Sequence, residues 1–300
     1  MRQVALINSV ESSNRIEGVT ANQERFQALM RQKTQPKNRS EGEIAGYKEL
    51  LDVIHQTTNQ VPVNPSILLQ FHRDLFQYST PKGGVWKNTQ NEIKETLPDG
   101  TSFIRFTPTP PHLTESAIAD LHINYEQARK HQLHDELIII ALYILDFLCI
   151  HPFLDGNGRM ARLLTVQLLY HSGYDVARYV SLERIVEQTK EGYYNSLYVA
   201  SQGWHEGAHN PLPWIDYFLE VLLAAYQFLE KEINRTQTVY GAKTDLIMQV
   251  IDRKMVPFSI SELEHECPTV SRRWIKSILE ELKQAGKIEL LGKGRGARWR

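Results

Sequence analysis

The sequence predicts a mainly α-helical protein with one small β-hairpin, followed by a C-terminal winged-helix unit. Three observations lead there. Apolar residues recur at helical spacing through most of the first 235 positions. One stretch, Trp86 to Phe106, has strand composition, with Pro98-Asp99-Gly100 as its turn. The last sixty residues read as a helix, a helix-turn-helix and two short strands, and their charge differs from the rest. Residues 241–300 hold 12 Lys and Arg against 8 Asp and Glu, whereas the remainder holds 22 against 27. The predicted division is an N-terminal helical segment over 1–34, a main domain over 35–235 and a winged helix over 240–300.

Composition narrows the class further. Hydrophobic content of 42% and charged content of 23% in 300 residues are those of an ordinary globular protein. A net charge of −1 gives no overall pull toward nucleic acid or membrane. Cys149 and Cys267 lie far apart, which is no disulfide framework and fits a reducing compartment. Met1 to Val10 has no secretory pattern. The longest apolar run, Leu137 to Ile150, contains Asp146 and is too short to span a bilayer, so it reads as a buried helix. The expectation is a cytoplasmic protein without a membrane partner.

In chain order, Val4, Ile7 and Val10 mark a first helix from Gln3 to Glu17, closed by Gly18. Glu17 then faces the negative end of that helix's dipole and needs a partner elsewhere. A short helix to Met30 and a polar loop to Ser40 follow. Helical patterning returns from Glu41 to Gln56 and from Pro65 to Gln77, where His72 reads as a satisfied histidine. Pro81-Lys82-Gly83-Gly84 breaks the pattern. The hairpin, Glu92 to Thr107, ends at Pro108-Thr109-Pro110-Pro111. Helices are then expected over Leu113–Lys130, Asp135–Ile150, a stretch from near Arg159 to His171, Ser181–Gln188, Lys190–Ser201 and Pro213–Ile233. In the last sixty residues the helices are Lys243–Lys254, Ser259–Glu264 and Thr269–Ala285, and the strands are Lys287–Leu291 and Ala297–Arg300.

The chemistry concentrates between two apolar helices, in His151-Pro152-Phe153-Leu154-Asp155-Gly156-Asn157-Gly158-Arg159-Met160-Ala161-Arg162. Gly156, Asn157 and Gly158 can turn several N–H groups toward one anion at the N-terminus of the next helix. Arg159 and Arg162 are three apart and share that helix's first turn with Met160 and Ala161. Two guanidinium forks beside such a nest suit a polyphosphate. Asp155 suits the Mg²⁺ that accompanies one, since Mg²⁺ favours a carboxylate plus phosphate oxygens. His151 is the stretch's neutral-pH proton acceptor and suits a general base.

This stretch resembles the signature of the Fic family, His-x-Phe-x-(Asp/Glu)-Gly-Asn-Gly-Arg-x-x-Arg, and every specified position matches. Ser13-Asn14-Arg15-Ile16-Glu17-Gly18 resembles the family's inhibitory motif, (Ser/Thr)-x-x-x-Glu-(Gly/Asn). The resemblance implies a Fic-type helical bundle in which Glu17, with Ser13, holds Arg162 and obstructs seating of the γ-phosphate. It implies that the hairpin is a flap lining the active site, along which a target segment docks by strand addition. Gly84-Val85-Trp86-Lys87 resembles the approach to that flap, with Lys87 where an arginine is commoner. Tyr193 and Tyr194 stand where aromatic residues help hold the nucleoside, and Ser201 stands in a position more often filled by asparagine.

The implied activity is protein adenylylation: AMP passes from ATP, with Mg²⁺, to a Ser, Thr or Tyr hydroxyl of a protein, restrained by Glu17. Removal of AMP, with Glu17 positioning a water, is the enzymatic alternative. A nucleotide-binding transcription regulator is the alternative of another class, its winged helix reading DNA through Arg272, Arg273 and Lys276 and its wing touching phosphates through Lys293, Arg295, Arg298 and Arg300. Self-modification and a homodimer are further expectations.

Overall fold

The computed structural model describes residues 1–57, 60–96, 101–252, 254, 256–292 and 297–300, the side chains of 95, 96, 235–240 and 242 excepted. The described residues form two compact units, Met1–Leu229 and Glu230–Arg300.

The first unit is helical apart from its hairpin. Its helices are α1 (Arg2–Ile16), α2 (Gln23–Met30), α3 (Arg39–Thr57), α4 (Pro65–Leu75), α5 (Pro111–Lys130), α6 (Glu136–Ile150), α7 (Asn157–His171), α8 (Leu182–Gln188), α9 (Lys190–Ser201) and the start of α10 (Leu212–Asp252). Asn22, Asn64, Asp135 and Ser181 each accept a backbone N–H at a helix start. The centre is α6, buried on nearly every side through Ile139, Ile140, Tyr143, Ile144, Phe147 and their neighbours. A helix apolar all round has to be enclosed, and α5 and α7 pack along it. Of its two acids, Glu136 opens the helix and Asp146 accepts from Trp204 Nε1 at 2.7 Å. Helix α1 differs: its buried face is Ser9, Ser12, Ser13 and Asn14 beside only Ala5, Val10 and Ile16.

The hairpin pairs β1 (Ile93–Thr96) with β2 (Ser102–Phe106), antiparallel, with a register shift at Ile93/Lys94. The expected strand from Trp86 begins only at Ile93. Lys87 and Asn91 are instead tied to the loop before α7, and a segment bonded that way has no ladder partner to spare. The expected turn, Pro98-Asp99-Gly100, lies outside the described residues.

In the second unit, α11 (Ile260–Glu266), α12 (Arg272–Gln284), β3 (Leu290–Leu291) and β4 (Arg298–Trp299) follow the end of α10. Strand β4 pairs with β3 on one side and with Phe258 on the other. Ile247, Phe258, Leu263, Ile275, Leu279 and Trp299 anchor its own core. The sequence predicts separate helices over Pro213–Ile233 and Lys243–Lys254, but α10 is continuous. Nothing in 234–242 stops a helix: proline is absent, and the single Gly241 costs only about 1 kcal/mol.

Candidate active site

The loop joining α6 to α7 is shaped by its own residues. Helix α6 ends at His151, whose φ of 51° is left-handed. Asn157 pins the other end: its Oδ1 accepts from Phe153 N at 2.9 Å and its Nδ2 donates to Phe153 O at 2.7 Å. Phe153 is fully buried, stacked on His72 at 3.7 Å between ring centroids. His72 receives the N–H of Gly84 on Nδ1 at 2.8 Å, so Nε2 carries the proton and donates to Asp155 O at 3.1 Å. The flap approach adds two more ties. Lys87 Nζ donates to Ile150 O at 3.1 Å and to Asn91 Oδ1 at 2.9 Å, and Asn91 Nδ2 donates to Phe153 O at 3.0 Å. Burial lowers the Lys87 pKa to about 8.

Helix α7 starts after Gly156, which caps it at φ 83°, and a Cβ there would stand 2.8 Å from the Phe76 ring. The N–H groups of Asn157, Gly158 and Arg159 have no carbonyl one turn back within the helix. Met160 N already donates to Gly156 O at 2.9 Å. Glu17 covers this turn: its Oε1 lies 2.3 Å from where a Cβ on Gly158 would stand. The same oxygen accepts from Arg162 Nη2 at 2.7 Å. Arg162 also donates from Nε to Ser13 Oγ at 2.8 Å and from Nη2 to Ser13 O at 2.9 Å. Among the described residues no hydrogen-bond partner meets its buried Nη1, which lies 3.2 Å from the Gly158 Cβ position. Burial opposes the Arg162 charge, but Glu17 and the phenols of Tyr193 and Tyr47 outweigh it and its pKa rises.

One cleft of about 630 Å³ gathers Glu17, His151, Gly158, Tyr193 and Tyr194 with Lys94, Arg105 and Phe106 of the hairpin. His151 Nδ1 donates to Leu148 O at 3.3 Å, leaving Nε2 with its lone pair. Burial pulls its pKa down to about 4, against that hydrogen bond, so the ring is neutral near pH 7. The cleft thus offers a proton acceptor, a covered anion seat and an aromatic wall. Lys190 ties the wall to α1, donating to Ile16 O at 3.1 Å.

Other expected site residues lie apart. Arg159 is enclosed, with Nη1 donating to Glu43 Oε2 at 2.5 Å. Met160 and Ala161 are core residues. Asp155 lines a second cleft, with Arg39, His72, Trp86 and Leu154. Its Oδ1 accepts from Gly156 N at 2.6 Å and its Oδ2 from Arg39 Nη2 at 2.5 Å. Among the described residues no group of three or more His, Cys, Asp or Glu could hold a metal. The half-exposed Asp155 carboxylate therefore fits a cation that brings most of its oxygen ligands along, as Mg²⁺ on phosphates does. Sequence reasoning missed Arg39, Glu43, Asn91 and Lys190. Only the spacing of Arg39 and Glu43, four apart on one helix, was a local signal.

Residues 62–169, from before α4 to near the end of α7, match the Fic/DOC family. That stretch has the sequence pattern of a Fic domain. Over 209 residues it is 26% identical to protein adenylyltransferase Fic of Nematostella vectensis, a match covering 66% of this chain and 44% of that protein. The chain therefore spans less than half of that relative's length. A Fic family protein from Desulfovibrio desulfuricans superposes with a TM-score of 0.63 at 20% identity, covering all of this chain and 86% of that one. A Fic domain containing signaling protein from Bacteroides thetaiotaomicron gives 0.61 at 22%, covering 74% and 85%. At these identities the two structures establish the fold, mainly helical with a small hairpin. No described helix is long and apolar enough to cross a membrane.

Proposed function

We propose that this protein is a Fic-type nucleotidyltransferase that moves AMP from ATP to a hydroxyl side chain of a protein and is restrained by Glu17. One observation carries the reading: a neutral histidine and a helix N-terminus share a cleft, and a carboxylate of the same chain lies against the Gly158 turn and holds Arg162. The adenylyltransferase name of the Nematostella relative supports it.

In this mechanism Nε2 of His151 accepts the proton of the target hydroxyl. The hydroxyl oxygen bonds to the α-phosphorus while the bond from that phosphorus to the bridging oxygen breaks, and pyrophosphate leaves. The N–H groups at the start of α7, once Glu17 moves aside, and the guanidinium of Arg162 bind the phosphates electrostatically. Tyr193 and Tyr194 border the nucleoside. Asp155 would hold Mg²⁺, which neutralises phosphate charge when bound. Phe153, stacked in the core, keeps His151 and the α7 turn in register. Glu17 withholds Arg162 and the seat together. The target lies along the hairpin, where Phe103 and Ile104 are exposed.

The C-terminal unit is read as a winged helix, from the order helix, a bridging residue Phe258, helix, helix and a paired β3–β4. Its charges favour protein contacts over DNA. Arg272 is paired with Glu264, Arg300 with Glu289, and Arg298 lies 3.7 Å from Glu262. Of the expected DNA contacts, Arg273 and Lys276 are exposed on α12, and Lys293 and Arg295 lie outside the described residues.

The test uses α-labelled ATP and Mg²⁺ with wild type, Glu17→Gly, and Glu17→Gly with His151→Ala. Strong labelling of the protein or of added lysate by Glu17→Gly alone is the expected result. Labelling that survives His151→Ala would sink the assigned base. Release of AMP from a pre-modified protein by wild type, with no labelling in any variant, would favour AMP removal.

A further inference from the structure

We propose that Arg39 gates the metal ligand: it holds the Asp155 carboxylate as an internal counter-cation, and a divalent cation arriving on nucleotide phosphates must displace it. The inference rests on the reading of the cleft as a nucleotide site. Arg39 is the first residue of α3 and bridges two carboxylates. Its Nε donates to Glu43 Oε1 and its Nη2 to Asp155 Oδ2, both at 2.5 Å. The other oxygen of Glu43 receives Arg159 Nη1, and the other oxygen of Asp155 lies 3.6 Å from Arg159 Nη2. Two guanidiniums and two carboxylates therefore close a ring, and each carboxylate oxygen of Asp155 already has an N–H donor on it.

The ring has one weak edge. Glu43 and Arg159 are 3% and 1% exposed, so opening that edge would strand buried charge. Arg39 and Asp155 are 56% and 54% exposed, so water takes over both groups when they part. Arg39 can release Asp155 and keep Glu43. While it stays, a divalent cation meets a positive charge on the ligand it needs. The bridge makes metal-dependent nucleotide binding weaker than Asp155 alone would allow.

The test is calorimetric and independent of turnover. The affinity of the full chain for a non-hydrolysable ATP analogue is measured with and without Mn²⁺, and the ratio gives the metal coupling. Wild type, Arg39→Gln and Asp155→Asn are compared. Arg39→Gln should raise the coupling up to about five-fold, the upper worth of an exposed ion pair, and Asp155→Asn should abolish it. Added salt should narrow the gap between wild type and Arg39→Gln, since it screens the exposed pair. Equal coupling in wild type and Arg39→Gln, with loss in Asp155→Asn, overturns the gate and leaves the metal assignment standing. Coupling retained in Asp155→Asn removes the metal reading and the gate with it, and no analogue binding by any variant, even with Glu17→Gly added to each, removes the nucleotide reading and the gate.

Discussion

Replacing Glu17 by alanine should loosen the fold and tighten nucleotide binding by the same amount. The 2.7 Å bond to Arg162 joins a guanidinium 7% exposed to a carboxylate 31% exposed. A hydrogen bond to a charged group is worth about 1.5–3 kcal/mol, and the partial exposure of Glu17 places this one near 2 kcal/mol. An anion taking the Gly158 turn must displace that carboxylate, because both need the space Glu17 Oε1 now fills. Wild type should therefore bind a non-hydrolysable ATP analogue about 30-fold more weakly than Glu17→Ala, the equivalent of ~2 kcal/mol. The variant alone should melt about 4–8 °C lower, and saturating analogue should recover most of that loss. Calorimetry and thermal melts on the same samples read both sides. Equal affinities in wild type and variant would refute the competition, whatever happened to the melting temperature.

Three further outcomes follow from the braces and the buried rings. His72 and His151 are both held near a pKa of about 4 by burial, below the ordinary 6.5. The unfolded chain binds the protons first, so stability falls as pH drops from about 6.5 toward 4; for the buried His72 the loss at pH 5 is about 2 kcal/mol. Urea melts at pH 7 and pH 5 should show a smaller pH difference in His72→Phe than in wild type; an unchanged difference would count against the buried neutral ring. By the same sign, transfer activity should show no acid limb between pH 6 and 7, and a limb centred near 6.5 would place His151 in water. Asn157→Ala removes both bonds to Phe153 and should cost about 2–4 kcal/mol in denaturant melts. A loss below 1 kcal/mol would mean the loop holds its shape without Asn157.

The central stretch was legible because its chemistry is local. His151, the glycines and Arg162 lie within twelve residues, and their spacing alone puts a base, a nest and a cation near one helix start. Helix α6 was equally plain, since a continuous apolar run has to be buried. The hairpin was legible in composition but not in extent, because tertiary bonds from Lys87 and Asn91 replace the ladder. The break expected in α10 failed because weak local patterning is not a stop signal.

The sequence by itself determined a mainly helical chain, the hairpin's place in it and a phosphate-suited loop between two buried helices. Local spacing and burial of apolar faces are enough for that. Only the tertiary structure decided which charges meet. Arg39 reaches Asp155 across 116 positions, and Glu17 reaches Arg162 across 145, a pairing expected beforehand only through the family resemblance. Arg159, a phosphate ligand by spacing, is enclosed against Glu43. Pairing between distant charges depends on how helices pack and which side chains are desolvated together, and no local pattern encodes either.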